Sequence, residues 1–591
     1  MSIVPEIKVK VAAVLKEMYG IETTESELTI NSTKPEFEGD YTLVLFSFVK
    51  SLKKSPEQLG NEIGDALVKA HPALFTGYNV IKGFLNLTVA DSYWICFLQS
   101  NYNQRRFGSK PANGQKVMVE YSSPNTNKPL HLGHLRNNFL GWSVAKILEE
   151  SGYEIIKSCI VNDRGIHICK SMIAWQKFAN GATPQSTGVK GDHFVGEYYV
   201  KFNDAYKAEV DQLINEGMDK ATAEKEAPIM KETQQMLQDW EAGKPEVINL
   251  WNMMNSWVYE GFDVTYKRIG SDFQKMYYES DTYLLGKQFV EEGLQKGVFY
   301  KKDDGSVWID LTADGLDEKL VLRKDGTSVY ITQDIGLAQQ KYDEFKYDQS
   351  IYVIADEQNY HMKVLKLILQ KLGKPYAEGV YHLSYGMVEL PTGRMKSREG
   401  TVVDADDMVD EMVNVAKQKT EELGKVKDFT EAELKELFDT IALGALKFFL
   451  LRVDPKKKMI FNPEESIDFH GFTGPFVQYT HARIRSILRK SEVSNQKSAA
   501  TGLLKLEKDI VIMLEQYPTI LEQAVAEHNP SVIAIYVFNL AKAFNTFYTE
   551  HSVMNAESEE KKQLRLQISE MTANVIASGM SLLGIRVPER M

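Results

Sequence analysis

Val117-Met-Val-Glu120-Tyr-Ser-Ser-Pro-Asn125-Thr-Asn-Lys128-Pro-Leu-His131-Leu-Gly133-His134 passes from a short β-rich run through a polar loop into a helix. Leu140, Val144, Ile147 and Leu148 recur at the spacing of one helical face, and Gly152 stands where a helix stops. Ile155-Ile156 through Cys159-Ile160-Val161 then supplies a second β-rich run and completes a βαβ unit. Such a unit implies a parallel sheet that binds ligands beyond the C-terminal ends of its strands. His131 and His134 share one face at the helix start, where free N–H groups attract phosphate. Gly133 removes a side chain where a flat base could approach. The pattern suits a nucleotide whose α-phosphate is under attack, with imidazole donors placed where charge develops.

Working outward, residues 1–112 mix helical stretches with a strand-like Gly83–Val89 and close in the turn-rich Gly108-Ser-Lys-Pro-Ala-Asn-Gly114, which reads as a small α+β domain and its linker. The α/β domain spans 113–403, with a charged, helical insertion at about 181–270. Within that insertion Pro228–Glu241 reads as an exposed helix with proline in its first turn. Strand-like runs return at Val307–Ile309, Ser328–Ile331, Ile351–Ile354 and Tyr381–Leu390. Beyond them helical periodicity dominates: Leu434, Leu437, Ile441 and Phe448 form one stripe, and Leu564, Ile568, Met571 and Val575 another. We divide this region into a helical stem, 404–470, and a helical bundle, 471–591.

The 591 residues exceed the ~250–300 at which a single core usually divides, and 43% hydrophobic with 25% charged residues is ordinary globular composition. A net charge of −12 argues against a globally basic nucleic-acid binder and leaves phosphate contacts to local patches. Lys53-Lys54, Arg105-Arg106, Lys456-Lys457-Lys458 and Arg483-Ile-Arg485 with Arg489-Lys490 are candidates, although each is more commonly a solvated face. No apolar run approaches the ~20 residues of a membrane span and no basic-then-apolar leader is present, so a cytoplasmic home is expected. Cys96, Cys159 and Cys169 form no CxxC pair and read as reduced; with His167 they lack zinc spacing, and no metal is assigned. Asp163-Arg164-Gly165 reads as a loop bordering the pocket.

His131-Leu-Gly-His134 resembles the HIGH signature of class I aminoacyl-tRNA synthetases, and the longer string from Glu120 to Arg136 resembles the arginyl-tRNA synthetase version. The resemblance implies a Rossmann-like α/β catalytic domain between an α+β N-terminal domain and an all-α anticodon-binding bundle. It further implies ATP-dependent ligation of L-arginine to tRNA(Arg) through an arginyl-adenylate, with Mg²⁺ on the phosphates and bound tRNA needed for activation. Arg394-Met395-Lys396-Ser397-Arg398 resembles a degenerate KMSKS loop. In it Lys396 and Arg398 would close over the phosphates, and Met395 and Ser397 would join His131, Gly133 and His134 in holding ATP. Lys128 is expected to supply the charge that the loop lacks; for the segment Arg394–Gly400 itself the alternative is a basic surface loop.

Ser328-Val-Tyr330-Ile-Thr-Gln333-Asp334 is similar to the family's LYLTRD segment. Tyr330 and Asp334, with Glu120, are therefore expected at the substrate guanidinium, whose planar fork of donors asks for acceptors. Ser123, Asn125 and Gln358 match positions that hold the α-amino group. Gln333 stands where the family often has arginine, and Asn359-Tyr360 where it often has Asp-Leu.

Gly474–Arg483 resembles the entry to the anticodon-binding domain, and Tyr479, Arg483 and Asn545 are taken as tRNA contacts. Most aromatics between Phe538 and Tyr548 read as a core stripe, although the composition also suits base stacking. Gly39-Asp-Tyr41 and Gly83–Asn86 resemble the family's N-terminal extension, which contacts the tRNA elbow. A monomer with no membrane contact is expected. The rival readings are a small-metabolite nucleotidyltransferase, a non-catalytic tRNA-binding relative and a synthetase for another amino acid.

Overall fold

The computed structural model describes residues 2–34, 36–391, 403–422, 428–491, 493 and 502–591. Met395, Lys396, Ser397 and Arg398 lie outside the described residues. Ile30–Ser32 (β1), Tyr41–Val44 (β2), Phe75–Ile81 (β3) and Phe84–Val89 (β4) form an antiparallel sheet in the order β1-β2-β4-β3. The helix Pro56–Ala70, capped by the Ser55 hydroxyl, packs on β3 and β4 and carries Val4–Tyr19 on its other side.

Lys116–Glu120 (β5), Glu154–Val161 (β6) and Lys275–Tyr278 (β7) pair in parallel, one after another. Tyr300–Lys301 (β8), Val307–Ile309 (β9) and Lys319–Leu322 (β10) make a small antiparallel sheet. The chain then returns to the other side of β5 with Gln349–Ala355 (β11) and Val380–Tyr385 (β12), giving the parallel order β12-β11-β5-β6-β7. Val117 to Glu120 are all buried, as a strand covered on both faces must be. The strand order reverses between β5 and β11, so the crevice beyond their C-terminal ends is the place where such sheets bind ligands.

The expectations for two of these segments change. Ser328–Ile331 is not a strand: Tyr330 opens the helix Tyr330–Phe345, which buries Ile331, Thr332, Ile335 and Ala338 at helical spacing. Pro228–Glu241 is a helix with those bounds, yet Ile229, Thr233, Met236 and Trp240 make one face of it buried rather than exposed. The stretch 181–270 lies in the crossover joining β6 to β7, and its helices Gly191–Asn215 and Pro245–Ile269 pack together and share the main core.

Met459–Ile460 (β14) of the stem pairs in parallel with Val388–Glu389 (β13) of the α/β domain, so the stem is not purely helical. Leu437, Ile441 and Phe448 are buried and Leu434 is half-buried, and all four members of the second stripe are buried. Among the described residues no helix is long and apolar enough to cross a membrane.

Candidate active site

Beyond the C-terminal ends of β5 and β11 opens a cavity of about 1010 Å³. Glu120, Ser123, Asn125, Tyr330, Asp334 and Gln358 all line it. They arrive from the end of β5, the loop after it, the start of the helix Tyr330–Phe345 and the turn after β11. Arg164 and Gly165 also line it, so the Asp163-Arg164-Gly165 loop does border the pocket. The Arg164 guanidinium lies 3.8 Å from the Tyr283 ring centroid and 5.0 Å from that of Trp240. Asp163 is anchored by the Ser280 amide and by the Tyr259 hydroxyl at 2.8 and 2.9 Å.

The two expected carboxylates differ in situation. Glu120 is buried and ion-paired with the buried Lys341, whose ammonium sits 4.7 Å from the Tyr352 ring centroid. Its charge is therefore balanced inside the protein, and it reaches the guanidinium's expected place with a counter-ion already attached. Asp334 is 38% exposed at the side chain and faces His361, with 2.5 Å between Oδ2 and Nε2. That hydrogen bond lifts His361 above its ordinary range. Tyr330 stands at the rim, 74% exposed. Lys341 and His361 were missed from the sequence; the only hint was a lysine two helical turns beyond Asp334, hence on its face.

The loop after β5 is held under strain. Ser122 and Ser123 have φ of 80° and 46°, a region that residues with a Cβ seldom occupy. Asn137 accepts from the Ser122 amide at 2.5 Å and donates to the Val353 carbonyl at 2.7 Å. Asn138 donates to the Ser122 hydroxyl at 3.1 Å, and the Tyr266 hydroxyl lies 2.6 Å from it. The second turn of the helix Leu132–Glu150 thus holds the strained loop that carries Ser123 and Asn125.

His131 and His134 cap that helix with their own rings. His131 Nδ1 accepts from the Gly133 amide and His134 Nδ1 from the His131 amide, each at 3.1 Å. With Nδ1 accepting, the hydrogen of each neutral ring sits on Nε2. Burial and the nearby Lys128 push His131 down to about 3 and His134 well below its ordinary value, so both rings are neutral. A Cβ on Gly133 would meet the His131 ring at 3.0 Å, so the space its missing side chain leaves is taken by that imidazole.

Lys128 and His131 line a separate, smaller cavity of about 270 Å³ with His193 and Asp404. His193 Nε2 lies 3.2 Å from Asp404 and 3.3 Å from Asp406, and these carboxylates push it up to about 10. Asp192, His193 and Asp406 place ligand atoms within 4.8 Å of one another, the spacing of a cation site. The Lys190 ammonium already bonds both carboxylates, at 3.0 and 2.6 Å. Cys159 and Cys169 are buried and pushed up to about 12, which keeps them thiols rather than metal-binding thiolates.

In the C-terminal helices, Tyr479, Arg483 and Asn545 converge. Arg483 donates to Asn545 at 2.5 Å, with its guanidinium 5.0 Å from the Tyr479 ring centroid and 5.5 Å from that of Tyr548. Phe544 and Phe547 are core residues, whereas Tyr548 is exposed.

Comparison with known proteins adds to this geometry. Residues 98–462 match the family described as tRNA synthetases class I (R), catalytic domain. Residues 477–591 match the DALR anticodon binding domain, and residues 5–89 the arginyl tRNA synthetase N terminal domain. An arginine–tRNA ligase of Parabacteroides distasonis is 52% identical, with all of both chains covered. One of Flavobacterium psychrophilum is 50% identical over 96% of each. The structure of the Thermus thermophilus arginyl-tRNA synthetase superposes with a TM-score of 0.78 at 24% identity, over 99% of this chain and all of that one, a likeness of fold.

Proposed function

The chain belongs to the arginyl-tRNA synthetases and ligates arginine to tRNA for translation, and from that membership we propose how its residues divide the work. The observation that carries the reading is the convergence of Glu120, Asp334 and the amino-group residues in one cavity at the switch point of the sheet. Arginine lies there with its guanidinium against Asp334 and Tyr330. Glu120, its charge already met by Lys341, adds an acceptor more than a net charge. Ser123, Asn125 and Gln358 hold the α-amino group, leaving the carboxylate directed toward ATP.

The carboxylate attacks the α-phosphate in line, pyrophosphate leaves, and a terminal ribose hydroxyl of tRNA(Arg) then takes the arginyl group from the adenylate. His131 and His134 donate Nε2–H to phosphate oxygens as charge builds there, a role that neutral imidazoles fill without gaining a proton. Gly133 keeps the His131 ring in its capping position. Lys128 meets the phosphates from the loop, and Lys396 and Arg398, with Met395 and Ser397 beside them, close over the leaving group. Mg²⁺ brought with ATP would supply charge neutralisation on the phosphates; the exposed carboxylates of Glu197 and Asp407, which line the smaller cavity, are hard oxygen donors that would hold it. Tyr479, Arg483 and Asn545 form the tRNA-contacting surface of the helical bundle, with Arg483 between two rings suited to stacking on bases. The enzyme works as a cytoplasmic monomer.

Arginine-dependent exchange of pyrophosphate into ATP tests the scheme. Exchange is expected in the presence of tRNA and not without it. Folded protein that exchanges under neither condition would overturn the proposal.

A further inference from the structure

His361 follows Gln358 by three residues, on the helix Asn359–Lys371, and its ring lines the large cavity beside Asp334. We propose that His361 is a specificity-determining partner of Asp334: as imidazolium it holds the carboxylate until the substrate guanidinium arrives and takes its place, and the ring then gives its proton to solvent. This rests on the reading of Asp334 as the guanidinium's partner.

Three observations carry it. His361 Nε2 and Asp334 Oδ2 are 2.5 Å apart, so the ring holds one of the two oxygens that a bidentate guanidinium would need. Both side chains are only partly covered, 31% exposed for His361 and 38% for Asp334, so a released proton has a way out. The charge around the pair also matters. Lys319 faces His361 from β10, its ammonium 4.3 Å from the ring centroid of the adjacent Tyr360. Arg164, Lys287 and Arg323 line the same cavity, Arg164 bonded to Glu241 of its wall at 2.9 Å, and Glu120 is already taken up by Lys341. Glu279, from the short helix after β7, is a further carboxylate in the cavity wall; burial raises it and the Arg164 guanidinium opposes that. Two cations on Asp334 would share that carboxylate's single charge, and the imidazolium is the cation able to lose a proton near neutrality.

The hydrogen bond to Asp334 raises His361 above its ordinary value, with burial and Lys319 opposing, which favours the charged ring when the cavity is empty. A ligand with a neutral end gains less from Asp334 than the imidazolium it must displace. A guanidinium repays that loss with its own charge, which turns the pair into a filter for cationic side chains.

The test is the KM for arginine in aminoacylation at saturating ATP and tRNA, from pH 6 to 8.5, with kcat followed separately. KM for the unaltered enzyme should fall about tenfold per pH unit on the acid side and level off above, as one released proton requires. In His361→Gln the slope should vanish. A flat KM profile in the unaltered enzyme, or an unchanged slope in His361→Gln, overturns the proposal. The unaltered profile decides even if the variant fails to fold. Asp334→Asn separates the two readings. If it leaves the arginine KM unchanged, the assignment of Asp334 is what fails; if it raises KM while the slope survives in His361→Gln, only the role of His361 is lost.

Discussion

The two signature histidines cap the helix through one edge of their rings, and the proposed mechanism uses the other. Nδ1 of each is spent on a backbone amide, which fixes the tautomer and aims Nε2–H away from the helix. Replacing His134 by alanine removes one transition-state donor and should lower kcat by about 10²–10³-fold, with the arginine KM moving little. Steady-state kinetics at saturating tRNA would check this, and an unchanged turnover number would remove His134 from the chemistry. Lys341 makes a sharper structural prediction. Lys341→Met leaves the buried Glu120 without its cation and should destabilise the protein by ~3–5 kcal/mol, while the double variant with Glu120→Gln recovers much of the loss. Urea denaturation of the three proteins is the measurement; a double variant no more stable than Lys341→Met would mean that the pair carries no such charge penalty. At this scale the sequence was informative where a residue belongs to a contiguous motif, as Glu120 to His134 do. It was silent on Lys341 and His361, because nothing local marks a lysine or histidine whose partner is brought in from another element.

Between elements, close approach and periodicity decide more than local preference. Val329-Tyr330-Ile331 has the β-branched and aromatic content of a strand, but Ile331, Ile335 and Ala338 continue at helical spacing and the core takes that face. The helix then runs against Gly286, where φ is +95° and an added Cβ would lie 1.8 Å from the Thr332 carbonyl oxygen. Gly286→Ala should therefore push on the first turn of the helix that carries Tyr330 and Asp334. We expect a lower melting temperature together with a raised arginine KM; a normal KM with a lower melting temperature would show that the site tolerates the shift. The helix Pro228–Glu241 illustrates the converse limit. Its bounds were readable from the proline and the charge pattern, whereas the burial of Ile229, Met236 and Trp240 depends on neighbours that no local signal names.

Across the whole molecule, the helix Leu132–Glu150 is where the parts meet. Its N-terminus caps itself with the signature histidines, its second turn props the loop after β5, and Ser143 donates to the Leu582 carbonyl of the C-terminal bundle at 2.7 Å. Lys447 adds a bond to the Gly584 carbonyl, also 2.7 Å. The N-terminal domain reaches the same bundle through Lys508, which pairs with Asp40, and through Tyr41, which donates to Glu515. The domain order was legible from the change of hydrophobic period along the chain, but these joints were not. The two-residue pairing of β13 with β14 has no periodicity to read, and Arg136 looks like any helix arginine until the stem folds over it. Buried at 2% exposure, Arg136 donates to the carbonyls of Lys457 at 2.7 Å, Pro455 at 3.2 Å and Met387 at 3.4 Å, so one guanidinium ties the signature helix to the stem. Arg136→Met would strand those carbonyls, a loss on the order of 3 kcal/mol. Arg136→Lys keeps the charge but not the fork and should fall in between. Calorimetry gives the stability, and aminoacylation gives the function. If Arg136 couples the catalytic helix to the tRNA-binding half, both variants lose kcat in proportion to the lost stability of the joint; full activity in a destabilised Arg136→Met would show that the stem's grip on the helix serves stability alone.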